Sequence, residues 1–278
     1  MTKTHVPRRV FARADEDADA ARLTLSTPQT EHPAYRLAFQ DLDFLLREDL
    51  RPVRFQLELL KPELLLDEAM IRSTIVFYGS ARIPEPGSAA QHPDPAVAAR
   101  LEALSLYYDS ARALARLASA TPRDEAGWHQ FVVCSGGGPS IMEAANRGAA
   151  DVGAQSIGLN IVLPHEQAPN VYVTPGLSFQ FHYFALRKMH FLLRARAVAV
   201  FPGGLGTIDE MIELLTLIQT GKVKPMPVLL FGKAFWTRVL NFEVLAEEGV
   251  ISRSDLDLFS YVETAEEAWA HIEAFYAA

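Results

Sequence analysis

An α/β fold built on a doubly wound parallel sheet is predicted by the pattern of residues 73–278, where short apolar segments alternate with amphipathic ones. The apolar segments are continuous, which is typical of strands buried on both faces of a parallel sheet. Glycine follows three of them, at 79, 136–138 and 203–206. Ligands of open α/β sheets bind beyond the carboxyl ends of strands, so these glycines indicate a candidate binding edge.

The predicted elements follow in chain order. The strands are 74–82, 131–138, 156–164, 197–204 and 226–232, with one more short strand near the end. The helices between them are 96–119, 139–153, 179–195 and 207–221. Pro139 near a helix start and Gly221 at a helix end are typical boundary residues.

Two segments precede this region. Residues 1–30 are polar and mixed in charge, which predicts a poorly ordered tail. Residues 31–72 carry apolar side chains at three- and four-residue spacing, with a proline break at Pro62. They predict a helical arm that packs on the main domain or on a second subunit. If the arm only binds a partner, a chain starting near residue 72 should assemble differently but keep its chemistry.

Composition narrows the class of protein. Apolar residues make up 49% of the 278 residues, which predicts a large core and argues against global disorder. The net charge of −8 argues against binding of nucleic acid or an anionic membrane, both of which favour basic surfaces. The single cysteine, Cys134, excludes an intramolecular disulfide and a cysteine zinc site, and lies in a predicted strand. Without a secretory-type start or a long apolar run, a cytoplasmic protein is the expectation.

The glycines favour a phosphate-bearing ligand. Glycine at a strand-to-helix corner lets backbone N–H groups approach an anion, and the helix N-terminus adds partial positive charge. The alternative is that the glycines only make tight turns. The segment at 136–141 lacks the third glycine of a dinucleotide fingerprint, and "GGLGTI" lacks the Walker lysine. Hydride transfer and NTP hydrolysis are therefore disfavoured.

Glu210 lies one turn into the helix after Gly206. A carboxylate next to a bound phosphate is electrostatically unfavourable, so the presence of Glu210 there requires an explanation. One interpretation is a capping box, with Thr207 as the N-cap and Glu210 reaching back to it. The other is that Glu210 faces the sugar of a bound nucleotide and stabilises developing positive charge. The local sequence leaves both open.

Four ordered motifs resemble the Lonely Guy (LOG) family, whose members are often labelled lysine decarboxylases. "PGGLGTIDE" at 202–210 matches the signature PGGxGTxxE, and "LRKM" at 186–189 resembles the Arg-Lys pair of the family. "GGGPSIMEAANRGA" and "YGSAR" resemble two further segments. The resemblance covers about residues 74–240, and Ser140 stands near a position where the family usually has glycine.

The resemblance implies a Rossmann-like fold and a phosphoribohydrolase. Such enzymes cut the N-glycosidic bond of a nucleoside 5′-monophosphate, such as AMP or a cytokinin riboside monophosphate, without a metal or organic cofactor. It implies a homodimer or larger homo-oligomer. It leaves open the preferred base and the role in cytokinin biosynthesis or in nucleotide salvage.

By position, the resemblance assigns Glu210 and Arg187 as the catalytic pair. The implied substrate-binding residues are Gly203, Gly204, Gly206, Thr207, Lys188, Gly136, Gly137, Gly138, Gly79, Ser80, Glu166 and Thr216. Adjacent helical residues diverge by about 100°, so Arg187 rather than Lys188 is expected to reach the ligand. His182 and Tyr183 could stack on a base or pack in the core.

Two rival functions remain. A pyridoxal-dependent decarboxylase would need Lys188 as its Schiff-base lysine, with a partner for the pyridine nitrogen that the sequence does not show. A non-catalytic nucleotide sensor or carrier would keep the glycine corners but could lose Glu210 or Arg187. The presence of both residues favours the hydrolase.

Overall fold

The computed structural model describes residues 11–163 and 168–277. The described residues form two compact units, with the division between Leu57 and Glu58. The first unit contains α1 (Ala14–Ala21), α2 (Pro28–Glu31), α3 (Leu42–Leu45) and the start of α4 (Arg51–Glu68). Helix α1 lies within the segment expected to be a poorly ordered tail. Three acidic residues in its first turn favour it, because they complement the partial positive charge of the helix N-terminus.

The expected break at Pro62 is wrong, because α4 continues through this buried residue. Proline has no N–H group, so it cannot donate to the carbonyl of Glu58 four residues earlier. That carbonyl instead accepts a hydrogen bond from Nε2 of His190 at 3.0 Å. A donor from another helix thus replaces the missing intrahelical one.

The second unit contains a seven-stranded, all-parallel sheet, which confirms the predicted fold class. Its strands are β1 (Thr74–Tyr78), β2 (Val132–Ser135), β3 (Ser156–Ile161), β4 (Ser178–Phe181), β5 (Ala195–Val200), β6 (Val228–Phe231) and β7 (Ser260–Val262). Their spatial order is β4-β3-β2-β1-β5-β6-β7. The order reverses between β1 and β5, which is where open α/β sheets bind ligands.

The helices that follow the strands are mostly where the sequence predicts them. They are α5 (Pro95–Ala103), α6 (Leu106–Ser119), α7 (Ile141–Asp151), α8 (Phe184–Leu193), α9 (Leu205–Gln219), α10 (Lys233–Val239), α11 (Phe242–Glu247) and α12 (Ala265–Ala277). The helix expected at 96–119 is two helices, α5 and α6. The start expected for α8 is wrong, since residues 178–181 form β4 with Phe179 and Phe181 buried in alternation.

The core lies on both faces of the sheet. In β1, Ile75 and Phe77 pack on one side with α6, α7 and α12, while Val76 and Tyr78 pack on the other with α8, α9 and α10. Every residue of β1 is buried, as the continuous apolar run predicts. Cys134 is buried in β2 and unpaired, and burial raises the pKa of its thiol. No helix in the described part of the chain is long and apolar enough to cross a membrane.

Candidate active site

A cavity of about 580 Å³ opens at the carboxyl ends of β1 and β5. It is lined by residues that follow β1, by the start of α7, by one face of α8 and by the first turns of α9. The lining residues are Phe77, Tyr78, Gly79, Ser80, Ala81, Arg82, Gly136, Met142, Phe184, Arg187, Phe191, Gly204, Leu205, Gly206, Thr207, Asp209 and Glu210. The cavity thus joins elements on both sides of the point where the strand order reverses.

The β5 corner (residues 202–206) leads directly into α9. The helix begins at Leu205, and its N-cap is Gly204, which has no side chain with which to cap it. A Cβ at Gly204 or Gly206 would meet no described atom within 4 Å apart from its chain neighbours and the adjacent helix backbone, and both residues line the cavity, so this backbone is open to it. A helix N-terminus with exposed N–H groups attracts an anion. Gly203 serves packing, because a Cβ there would lie 2.1 Å from Oγ1 of Thr207.

The capping-box interpretation of Thr207 and Glu210 is wrong. Thr207 is the third residue of α9 and is buried, so it is inside the helix and is not the N-cap. Glu210 lies one turn further on, and its Oε1 is 3.9 Å from a terminal nitrogen of Arg187. The carboxylate therefore faces α8 and the cavity.

Contacts with Leu159 and Phe191, among the described residues, hold Arg187 in place, and Gly136 leaves room for it. Its Nε donates to the carbonyl of Leu159 at 2.7 Å, and its guanidinium lies 5.1 Å from the ring centre of Phe191. A Cβ at Gly136 would lie 2.8 Å from a terminal nitrogen of Arg187. Gly136 is therefore needed for the guanidinium to reach the cavity, a role different from the phosphate contact that the sequence predicts.

Burial controls the ionisation of Glu210. Its side chain is 11% exposed and that of Arg187 is 14% exposed. Burial raises the pKa of Glu210 to about 7, although the charges of Arg187 and Lys188 act in the opposite direction. A carboxylate that titrates near neutrality inside a cavity is typical of a catalytic group.

Lys188 holds two helices together. Its Nζ lies 2.9 Å from both Asp209 and Glu213 of α9, and Lys188 does not line the cavity. Burial lowers the pKa of Lys188, but the hydrogen bonds to the two carboxylates outweigh it and raise the pKa above its ordinary value. A Schiff-base lysine is activated by a lowered pKa, so Lys188 does not suit the role that the decarboxylase hypothesis requires of it.

The β2 corner (residues 136–140) is mostly closed. Gly136 lines the cavity, but Gly137 donates its N–H to Oγ of Ser135 at 3.0 Å. The carbonyls of Gly137 and Gly138 accept hydrogen bonds from Asn170 at 3.1 and 3.0 Å. This turn therefore supports the site without presenting its full backbone to a ligand. Strand β1 lies between β2 and β5, so the two corners are not on neighbouring strands.

Of the remaining residues predicted to bind substrate, some line the cavity and others do not. Gly79 and Ser80 line the cavity, and the Ser80 hydroxyl accepts the N–H of Arg82 at 3.0 Å. Thr216 lies outside the cavity and donates to its own helix, to the carbonyl of Ile212 at 2.8 Å. Glu166 lies outside the described residues.

Several lining residues were not predicted. Arg82 belongs to the segment "YGSAR", two residues after the predicted Ser80, so the sequence contained an indication that Arg82 lies at the site. Phe184 directly follows His182 and Tyr183, neither of which lines the cavity, and it is 55% exposed there. Among the described residues, no group of three or more histidine, cysteine or acidic side chains is placed to hold a metal ion.

Comparisons with known proteins confirm the resemblance stated from the sequence. A family model described as "Possible lysine decarboxylase" matches residues 142–272. The chain is 26% identical, over 148 residues, to "Cytokinin riboside 5'-monophosphate phosphoribohydrolase LOG3" of Arabidopsis thaliana, covering 52% of this chain and 67% of that protein.

A second relative comes from Escherichia coli strain K12. Its "Pyrimidine/purine nucleotide 5'-monophosphate nucleosidase" is 28% identical over 136 residues, which cover 42% of this chain and only 28% of that protein. Among solved structures, a Moco carrier protein from Chlamydomonas reinhardtii is 19% identical, with a TM-score of 0.43 over 74% of this chain and 99% of that one. A structural-genomics target, TM1055, is 21% identical, with a TM-score of 0.46 over 73% of this chain and 99% of that one.

Proposed function

We propose that this chain, which resembles the LOG family, hydrolyses the N-glycosidic bond of a nucleoside 5′-monophosphate, giving a free base and ribose 5-phosphate. The observation that carries the proposal is the place of Glu210. Its carboxylate lies inside the cavity, one turn from an open helix N-terminus and 3.9 Å from Arg187. The two relatives named above are enzymes whose names state this type of substrate.

The phosphate group would bind at the β5 corner. Gly204 and Gly206 leave the first N–H groups of α9 open, and the helix dipole favours an anion there. The hydroxyl of Ser80 accepts from Arg82, so its hydrogen can still be donated to a phosphate oxygen. Arg82 lies at the same cavity and adds positive charge.

The sugar would then lie over Glu210. Cleavage of a ribosidic bond passes through an oxocarbenium-like state, in which positive charge develops on the sugar. An ionised carboxylate stabilises that state more than the ground state, which is what lowers the barrier. Water adds to the anomeric carbon and loses a proton, while the departing base takes the bonding electrons and gains a proton, which gives ribose 5-phosphate and the free base.

Arg187 would serve the leaving group. Its guanidinium is held by Leu159 and Phe191, so the cost of ordering it is met before the ligand binds. It can donate to the departing base or to phosphate, and its charge keeps part of the Glu210 population ionised. Phe184 and Met142 give the base an apolar surface in the same cavity.

Incubation with AMP and detection of free adenine tests the proposal. Release that is lost in Glu210→Gln supports it. Tight AMP binding without release would favour the nucleotide sensor. A panel of nucleoside monophosphates then identifies the preferred base.

We also propose a cytoplasmic homodimer or larger homo-oligomer, with no nucleic-acid or membrane partner. The net charge of −8 supports the absence of a nucleic-acid or membrane partner. The side chains of Leu60 and Leu64, which are 51% and 58% exposed, support association with a further subunit. Light scattering coupled to gel filtration measures the assembly, and cell fractionation tests the location.

A further inference from the structure

The second half of α4 binds the N-terminus of α8, the helix that carries Arg187. The carboxylate of Glu58 accepts the N–H of His182 at 2.8 Å and the N–H of Tyr183 at 3.2 Å. Helix α8 begins at Phe184, so both N–H groups belong to its cap region. Glu58 therefore supplies from another helix the acceptor that the N3 carboxylate of a capping box gives to the N-cap N–H.

The same residue binds α8 a second time through its backbone. Pro62 leaves the Glu58 carbonyl without an intrahelical donor, and Nε2 of His190 donates to it at 3.0 Å. This bond requires the hydrogen on Nε2. The buried Nδ1 makes no hydrogen bond among the described residues and lies 3.8 Å from Oε1 of Glu63. Burial lowers the pKa of His190, although the charge of Glu63 acts in the opposite direction, and this favours the neutral ring. The pairing therefore fixes one face of α8 to a single turn of α4.

The far end of α8 is bound to α4 as well. Arg194 contacts the carboxylate of Glu63 at 3.0 Å and that of Asp67 at 2.8 Å. Between these attachments, the N–H of Arg187 donates to the carbonyl of Tyr183 at 3.1 Å. The residue that Glu58 caps is thus the residue that starts the helical turn of Arg187.

We infer that Glu58 is a positioning residue for the reaction: it fixes the first turn of α8 and so the direction of Arg187 toward Glu210. This inference rests on the proposed function. Glu58 does not line the cavity, so its effect passes through α8. Residues 58–67 are therefore part of the catalytic framework, which argues against the expectation that a chain starting near residue 72 keeps its chemistry.

Kinetics of three variants test the role in catalysis. Glu58→Ala should lower kcat for AMP by about tenfold with little change in KM, because misplacement of a catalytic group by a fraction of an ångström costs rate. Glu58→Gln keeps one acceptor oxygen and should show a smaller loss. Glu68→Ala, which removes an exposed carboxylate of the same helix, is the matched control and should keep the wild-type kcat.

A double-mutant cycle separates positioning from general destabilisation. In an Arg187→Ala background, Glu58→Ala should cause no further loss of kcat, since its effect acts through Arg187. An equal loss in both backgrounds, or an unchanged kcat in the single variant, would overturn the inference. If Glu58→Ala does not fold, Glu58→Gln replaces it in the same cycle.

Hydrogen exchange tests the attachment whether or not the chain hydrolyses AMP. The amides of His182 and Tyr183 should exchange faster in Glu58→Ala than in Glu68→Ala. A wild-type protein that releases no base would refute the proposed function while this measurement still decides on the attachment. Equal exchange in the two variants would refute the attachment itself.

Discussion

The two glycine corners of the sheet look alike in sequence but differ in how their backbone groups are used. At the β5 corner, Gly204 and Gly206 face open space and lead into a helix that no cap residue closes. At the β2 corner, Ser135 and Asn170 already bind the backbone of the turn. The two corners therefore differ in how much of their backbone is left for a ligand, which sequence similarity alone does not reveal.

The largest expected effect tests the chemistry beside the β5 corner. Glu210→Gln should lower kcat for a nucleoside monophosphate by about 10²–10³-fold, because an amide cannot offset the charge on the sugar. Binding of AMP should be kept, and calorimetry measures it. Glu213→Gln on the same helix, outside the cavity, is the control, with a much smaller loss. Full-speed turnover by Glu210→Gln would contradict the role of the carboxylate.

The pH dependence of hydrolysis gives the next effect. Because the pKa of Glu210 is about 7 and the ionised form is the active one, kcat/KM should fall about tenfold per pH unit well below 7. A pH–rate profile that is flat between pH 5 and 7 would count against this assignment.

The same carboxyl also links stability to pH. Its pKa is raised from an ordinary value of 4.5, so its ionisation opposes folding. This contribution to the free energy of unfolding is complete below about pH 4.5 and is lost as the pH rises through about 7. This pH-dependent contribution to the free energy of unfolding should be absent in Glu210→Gln. His190 acts in the opposite sense: its pKa is lowered from 6.5, so its contribution is present above that pH and is lost as the pH falls below it.

A methyl group at the β5 corner should affect binding. Gly206→Ala places its Cβ in space that is open without a ligand, so the fold should tolerate it and gain up to about 1 kcal/mol from better helix propensity. The same methyl group would obstruct a phosphate at the helix N-terminus. We expect KM for AMP to rise about tenfold, or about 1.4 kcal/mol of lost binding, with an unchanged or higher Tm. An unchanged KM would place the phosphate elsewhere.

The matched change at the β2 corner should affect stability instead. Gly137 has a φ of +74°, and a Cβ there would lie 2.6 Å from the side-chain amide of Asn160. Gly137→Ala should therefore destabilise the fold by about 1–3 kcal/mol, measured by chemical unfolding. KM of the folded fraction should change little. A large rise in KM without loss of stability would erase the difference between the two corners.

Local sequence predicted the features that depend on local rules. Continuous apolar runs predict buried strands, and the family resemblance points to Arg187 and Glu210, which the structure brings to one cavity. Strand β4 was missed because its alternating phenylalanines adjoin further aromatic residues, and the whole run then resembles a helical stripe. The sequence did not indicate the ion pairs of Lys188 with α9, because these contacts follow from how two helices pack.

Long-range partners lay beyond the reach of the sequence. Nothing in the residues around Glu58 indicates that its carboxylate caps a helix 124 positions later. Pro62 was predicted to break the helix, but it lies inside α4. A proline inside an amphipathic helix predicts a break unless a donor from elsewhere satisfies the freed carbonyl, and here His190 does so.

The backbone of Ser80 connects the loops that follow β5 and β2 through its own N–H and C=O groups. Its N–H donates to the carbonyl of Pro202 at 3.1 Å, and its carbonyl accepts the N–H of Ile141 at 3.4 Å. Neighbouring strands lie about 4.8 Å apart, so the ends of β2 and β5, with β1 between them, are separated by about 10 Å. The hydrogen bonds of Ser80 thus couple the loops after β5 and β2, so the distance between these two sides of the cavity is set by the spacing of the strands. A displacement of one loop would be transmitted to the other.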